Sequence, residues 1–198
     1  MAARRRSGRS NRPKRQLARR ILVVTEGTHT EPQYVERLNR YLRSAGATTV
    51  VKSVSVGKDP MKVVQKCIEI RDKSARAEKG YDDCVCIVDV DQHHALPEAC
   101  QLASHNSILL LISNLKFEVW LRWHVEDKRS ALNTSQLDDL TAKLGLVTKK
   151  VLAPTFPFHA VHDACEVAHR ADPDLRAGRI GPDPSSAMPI LVALMLGR

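Results

Sequence analysis

Ile21-Leu22-Val23-Val24-Thr25-Glu26-Gly27-Thr28-His29-Thr30-Glu31-Pro32 is the stretch on which the rest of the chain turns. Branched apolar residues run into a carboxylate, a glycine, a polar turn and a second carboxylate, the pattern of a buried parallel strand opening into a functional loop. Glu26 then stands at the strand's C-terminal edge, where open α/β sheets bind ligands. A second run, Cys84-Val85-Cys86-Ile87-Val88-Asp89-Val90-Asp91, has the same design. Period-two alternation points Asp89 and Asp91 to one side of an extended segment. Side by side, the two strand ends would bring Glu26, Asp89 and Asp91 together. Carboxylates so crowded need raised pKa values or a divalent cation.

Further along the chain, Pro32 suits the first turn of a helix over 31–43, stopped by Gly46, with Arg37, Arg40 and Arg43 on a basic outer face. The β-branched segment 48–56 reads as a strand broken by Gly57, and Asp59-Pro60 opens a helix reaching about Lys79. Strand 84–89 is followed by a loop with His93 and His94, a short helix over 96–104 and an uncharged strand over 107–112. Ser113-Asn114 is expected to cap a helix that carries Phe117, Glu118, Trp120, Leu121 and His124. The alternation predicts βαβ units in a mostly parallel sheet flanked by helices. Beyond it the pattern turns helical, over 135–144, 160–170 and 186–196. The expected organisation is a basic arm (1–19), an α/β core (20–126) and a helical C-terminal extension (127–198).

The net charge of +9 is concentrated, because Met1 to Arg20 holds nine Arg and Lys residues and no acid. Arg12, Lys14, Arg15, Arg19 and Arg20 are candidate phosphate contacts; a solvated tail without a specific partner explains the same composition. Five cysteines without a secretory signal suggest reduced thiols and a cytoplasmic protein, with Cys84 and Cys86 as small buried hydrophobes. No run approaches the roughly 20 apolar residues of a membrane span.

Several candidates also have plain structural readings. Glu31 suits a helix N-terminus by charge alone. Lys149 and Lys150 suit either a phosphoryl transition state or an ordinary surface. Asn114 and Glu118 suit a cap and first turn, His124 suits a satisfied core histidine, and Ser185 with Ser186 suits the N-cap of the last helix. His93 and His94 are either ligands or solvated loop residues.

A strand-Glu-Gly element followed some sixty residues later by strand-Asp-x-Asp resembles the Toprim domain of topoisomerases, primases and overcoming-lysogenization-defect nucleases. More closely, Thr25-Glu26-Gly27 with Thr30-Glu31-Pro32 and Tyr34, Asp89-Val90-Asp91, Ser113-Asn114 with Phe117-Glu118, Trp120-Leu121 and His124, and Asp183-Pro184-Ser185-Ser186 are similar to the RloB family. The likeness covers about residues 20–197. Leu115 stands where that family commonly has proline, and Asp183 where it has asparagine.

The resemblance implies a Toprim-like, Rossmann-like α/β fold and a metal-dependent nuclease of antiphage abortive-infection loci. It implies RNA, transfer RNA included, as the favoured substrate, and an ATPase encoded nearby as partner. Glu26, Asp89, Asp91 and Lys149 are then the catalytic candidates, and Gly27, Asn114, His124 and Ser185 support them. Glu26, Asp89, Asp91, Glu31 and Glu118 are the candidate ligands of Mg2+ or Mn2+, hard ions that prefer carboxylate and water oxygens. Two rivals stay open: an enzyme acting on nucleotides or another phosphoryl group, and a binding module that grips nucleic acid with the basic arm without cutting it.

Overall fold

The computed structural model describes residues 18–57, 59–90 and 95–198. The expectations on Arg12, Lys14, Arg15, Asp91, His93 and His94 therefore lie outside the described residues.

Four parallel strands form the sheet: β1 (Arg20–Thr25), β2 (Val50–Ser55), β3 (Asp83–Asp89) and β4 (Leu109–Asn114), in the order β2-β1-β3-β4. Helices α1 (Thr30–Ser44), α2 (Pro60–Arg76) and α3 (Leu96–His105) make the crossovers. The α/β, Rossmann-like expectation is met. Alternation divides each strand between two cores: Ile21, Val23, Val85, Ile87 and Leu111 face one way, while Leu22, Val24, Cys84, Cys86, Val88, Leu110 and Ile112 face the other. Helix α1 covers the first face, and α2 and α3 cover the second. Burial on both faces explains why these strands read as continuous apolar runs.

From β1 the chain steps to β2 on one side, then returns past β1 to β3 on the other. The reversal opens a crevice between the C-terminal ends of β1 and β3, the topological switch point at which such sheets bind ligands. Glu26 follows β1 and Asp89 ends β3.

Helix α2 starts where expected: Pro60 occupies the first turn and the Asp59 carboxylate accepts from the Lys62 N–H at 3.1 Å. Cys67, Cys84 and Cys86 are buried free thiols in the second core.

The C-terminal third contains the three helices expected of it and adds short strands between them. Helices α4 (Glu118–Arg122), α5 (Thr134–Lys143), α6 (Val161–Ala171) and α7 (Met188–Met195) are joined by a small hairpin, β5 (Val147–Thr148) with β6 (Val151–Leu152), and by strand β7 (Ser185–Ser186). Strand β7 pairs antiparallel with the outer edge of β4. Ser185 and Ser186 therefore cap nothing: the position before α7 is Ala187, without a side-chain cap, and the Ser186 hydroxyl lies 2.9 Å from that of Ser113. An open strand edge requires hydrogen-bonding partners, and these two residues supply them.

Asn114 is corrected in the same way. It is the last residue of β4, α4 begins only at Glu118 behind an uncapped Phe117, and the Asn114 amide donates to the Gly181 carbonyl at 3.0 Å. The Asn114–Leu115 and Asp183–Pro184 peptides are cis.

Few in number, the aromatic residues gather at one place. Tyr34 meets Phe117, Trp120 and Phe156 edge to face with centroids 5.5, 6.3 and 5.7 Å apart. His124 is buried among them and its Nδ1 lies 3.1 Å from the Trp120 carbonyl, which only accepts, so Nδ1 carries the proton. Its Nε2 then accepts from the Tyr34 hydroxyl at 3.1 Å. His124 is a satisfied core histidine under α1 and α4.

Candidate functional site

A cavity of about 300 Å3 opens at the switch point, lined among others by Glu26, Glu31, Asp89, Glu118, Lys116 and Lys150. Each acid arrives by a different local rule. Glu26 is held by its backbone, its N–H donating to the Ile87 carbonyl at 3.0 Å and its carbonyl accepting from the Gly57 N–H at 2.9 Å. Its Oε2 lies 3.3 Å from the Asp89 N–H. Asp89 continues the parity of Val85 and Ile87, which turns it to the face covered by α1 and α4. Glu31 occupies the first turn of α1, and Glu118 opens α4.

Gly27 serves clearance. The Glu31 carboxylate lies against its Cα, so that any Cβ there would collide with both carboxylate oxygens. Gly57 is needed twice over: its φ is +66°, and a Cβ would meet the Thr28 methyl at 2.7 Å. These two glycines let the β1 and β2 ends close on each other beneath the cavity.

The acids repel one another. Burial, then the charges of Glu31, Glu118 and Glu26, push the Asp89 carboxyl well above its ordinary range, with Lys116 opposing. Burial raises Glu31, partly offset by N–H donors, and Glu118 and Glu26 add to the rise. Burial also raises Glu118, although Lys116 pulls the other way. One unit of such a shift costs the charged form about 1.4 kcal/mol. A single buried Val or Leu contributes about 1.5–3 kcal/mol, so β1 and β3 hold the unfavourable ends in place. The Asp89 Oδ1 is itself buried without a hydrogen-bond partner among the described residues.

The positive side of the site differs from expectation. Lys149 is exposed and absent from the cavity lining, whereas Lys150 lines it. Lys116, which the motif reading passed over, stands among the acids with its ammonium 3.8 Å from Glu118 and 2.5 Å from Asp138 on α5. A cation two residues before Glu118, between two positions already singled out, was the available signal.

Lys150 reaches the cavity because α1 docks the β5–β6 hairpin. Thr30 donates to the Lys150 carbonyl at 3.2 Å, Gln33 accepts from the Leu152 N–H at 3.1 Å, and Arg37 donates to the carbonyls of Leu152, Ala153 and Pro154 at 3.2, 2.8 and 2.7 Å. These residues lie on one side of the helix at i, i+3 and i+7. Arg37 is thus not part of an outer basic face, although Arg40 and Arg43 are exposed.

Arg19 and Arg20 sit at the other end of β1. Arg19 forms a two-pronged pair with Asp83, at 2.5 and 2.8 Å, while Arg20 donates to the Gly80 carbonyl at 2.7 Å and lies 5.0 Å over the Tyr81 ring. The Arg19 guanidinium is committed to the first residue of β3 and that of Arg20 to the turn before it, a strand's length from the acids.

The donor set is all oxygen, as Mg2+ and Mn2+ prefer. Among the described residues no three His, Cys, Asp or Glu form a ready metal-holding group. No described helix is long and apolar enough to cross a membrane.

No curated protein and no solved structure matches the chain. A family model described as "RloB-like protein" matches residues 21–195, which takes in the acidic strand ends, both cation-bearing segments and the strand added from the C-terminal third. With nearly all of its length matched by that model and its acids meeting where the motifs meet, the chain belongs to the RloB-like family.

Proposed function

We propose that this chain is a divalent-metal-dependent nuclease that cleaves nucleic acid phosphodiesters, RNA in preference to DNA, in antiphage defence. The observation that carries the reading is the meeting of Glu26, Glu31, Asp89 and Glu118 around one cavity at the switch point, with Asp89 Oδ1 buried and unpartnered among the described residues. Acids so placed are costly to the fold, and a cation relieves that cost. Asp89 and Glu26 would hold the ion, and Glu31 and Glu118 would take its water shell. Such sparse ligation suits Mg2+, which is commonly held by one or two carboxylates with waters and substrate oxygens. A bound Mg2+ or Mn2+ polarises the phosphoryl oxygen and neutralises developing charge.

The chain's own residues do the rest. Glu26 is steadied from both sides through its backbone; where it does not hold the ion, its carboxylate would take a proton from an attacking water or return one to the leaving oxygen. Gly27 and Gly57 keep the floor of the cavity low enough for a phosphodiester to reach the acids. Thr134 and Lys150, brought by the C-terminal third, wall off one side. The defence setting, a transfer RNA substrate and an ATPase partner are carried over from the resemblance to the RloB family and are part of the proposal.

The test incubates the full chain with RNA, DNA and free nucleotides side by side, with Mg2+, Mn2+ or EDTA, and with and without the neighbouring ATPase. The expected result is metal-dependent scission of RNA that vanishes in Glu26→Ala. Turnover of nucleotides alone would replace the nuclease with a nucleotide-processing enzyme. Salt-dependent binding that survives Asp89→Ala, with no scission by the parent, would make the protein a binding module.

A further inference from the structure

We infer that Lys116 is the residue that meets the substrate's phosphate, releasing Asp138 as the anion enters; this rests on the nuclease reading of the same cavity. A phosphodiester brought to the mouth of β1 and β3 meets four carboxylates, Glu26, Glu31, Asp89 and Glu118. Negative charge approaching negative charge needs fixed cations as well as a metal ion, and among the described residues the cavity lining contains two, Lys116 and Lys150. They are placed differently. Lys150 is exposed at the tip of the β5–β6 hairpin, whereas the Lys116 side chain is only 19% exposed and its ammonium is held from two sides. Glu118, 3.8 Å away, anchors it within the cavity, and Asp138 holds it at 2.5 Å from a position outside the cavity lining.

The two anchors are unequal. The Glu118 side chain is 17% exposed and stays with the site, while that of Asp138 is 52% exposed. A half-solvated carboxylate gives up an ion pair at small cost, because water replaces the lost partner. An incoming phosphate oxygen can therefore take the place of Asp138 on an ammonium already aimed and already partly stripped of water. Preorganised donors of this kind stabilise charge without reorganising during the reaction. A lysine whose only task was to tie α5 to α4 would not have to line the cavity.

The experiment uses the full chain and the variants Lys116→Met, Lys116→Arg and Asp138→Asn. Binding of uridine 3′,5′-bisphosphate is measured by calorimetry in Ca2+, cleavage of a short single-stranded RNA is measured in Mn2+, and melting temperature is recorded for each variant. Lys116→Met is expected to weaken bisphosphate binding at least tenfold and to lower kcat/KM about a hundredfold or more, the usual effect of losing one preorganised donor. Lys116→Arg should recover most of both. Asp138→Asn removes the same ion pair, yet it should leave binding and kcat unchanged or raised.

Equal losses in Lys116→Met and Asp138→Asn, moving in step with melting temperature, would make the lysine a structural tie and overturn the assignment. A parent that cleaves RNA while Lys116→Met matches it in both assays would overturn the assignment and leave the nuclease reading standing. A parent that neither binds the bisphosphate nor cleaves would remove both.

Discussion

At Asp89 the demands of fold and chemistry conflict. The carboxylate is raised by burial first and by Glu31, Glu118 and Glu26 after it, so at neutral pH its charged form opposes folding. The sign follows directly: a raised folded pKa means that protonation favours the native state and that stability falls as pH rises from the unfolded value towards the folded one. Asp89→Asn removes that charge. The variant should melt higher than the parent in EDTA by about 2–4 °C, corresponding to about 1 kcal/mol in a chain of this size, while losing cleavage. Added Mn2+ should raise the melting temperature of the parent and leave the variant unmoved. A variant that melts lower in EDTA would show that the carboxylate is a net support of the fold.

His124 gives the opposite slope. Burial lowers its pKa from 6.5 to about 4, against the bonds it makes to the Trp120 and Leu121 backbone. The unfolded chain binds the proton between those values and the folded chain does not, so stability is lost as pH falls from about 6.5 to 4, by about 3 kcal/mol in full. Because the raised carboxyls of Asp89, Glu31 and Glu118 also gain protons as pH falls, the measurement is a difference. The stability gap between the parent and His124→Asn, from urea titrations, should narrow as pH is lowered from 7 to 4. A gap that stays constant would mean that the imidazole takes up its proton equally in the folded and the unfolded chain.

Gly27 is decided by a single neighbour. Gly27→Ala places a methyl group where the Glu31 carboxylate lies. The expected outcome is loss of at least tenfold in metal-dependent cleavage, with little change in secondary structure by circular dichroism. Full activity would show that Glu31 moves aside freely and has no part in the site.

Among the elements, α1 does the most. Its first turn carries Glu31, its inner side carries Tyr34, and its third side carries the docking row of Thr30, Gln33 and Arg37 for the β5–β6 hairpin. Removing the Arg37 guanidinium leaves three carbonyls without that donor. In Arg37→Ala, trypsin should cut after Lys149 or Lys150 at least tenfold faster than in the parent, and KM should rise as Lys150 leaves the cavity. An unchanged cutting rate would show that Gln33 and Thr30 suffice. The basic face expected for α1 from its arginines is therefore two residues long, Arg40 and Arg43, because the third is spent inside the molecule.

The elements also show how reading by period fails at short lengths. Strand β7 has only Ser185 and Ser186, and two residues have no period to detect. The edge of β4 recruits them, and the Ser113 hydroxyl completes the pairing. Asn114 shows the limit of reading by residue type. Ser-Asn before a helix matches a cap by residue type, but the backbone stays extended through Asn114 and the amide turns to Gly181 instead.

Across the whole molecule, the site acids and the residues that join the basic arm to the sheet lie at opposite ends of β1. The acids crowd the C-terminal edge, whereas Arg19 and Arg20, where the basic arm meets β1, are bound to the first residue of β3 and the turn before it. The arm joins the body a strand's length from the acids. A chain beginning at residue 18 should cut a short oligonucleotide as well as the parent does, bind long RNA more weakly, and show a shallower dependence of binding on salt. Loss of short-oligonucleotide cleavage would place the arm in the cavity after all.

The family relationship was legible before any coordinates, because its motifs are local strings ending in acids, and so was the parallel sheet, because branched apolar runs alternating with amphipathic segments allow little else. The residues of the chain, read in order, determined that Glu26 ends one central strand and Asp89 another. They did not determine that β1 and β3 are neighbours at a reversal, that Glu31 and Glu118 close in from two helices, or that Lys116 and Lys150, not Lys149, bring positive charge to them. Periodicity and caps act over a few residues, so a linear reading recovers them. Convergence of groups some thirty to one hundred and twenty positions apart depends on crossover direction and on which surfaces pack together, and those are settled only when the whole chain has folded.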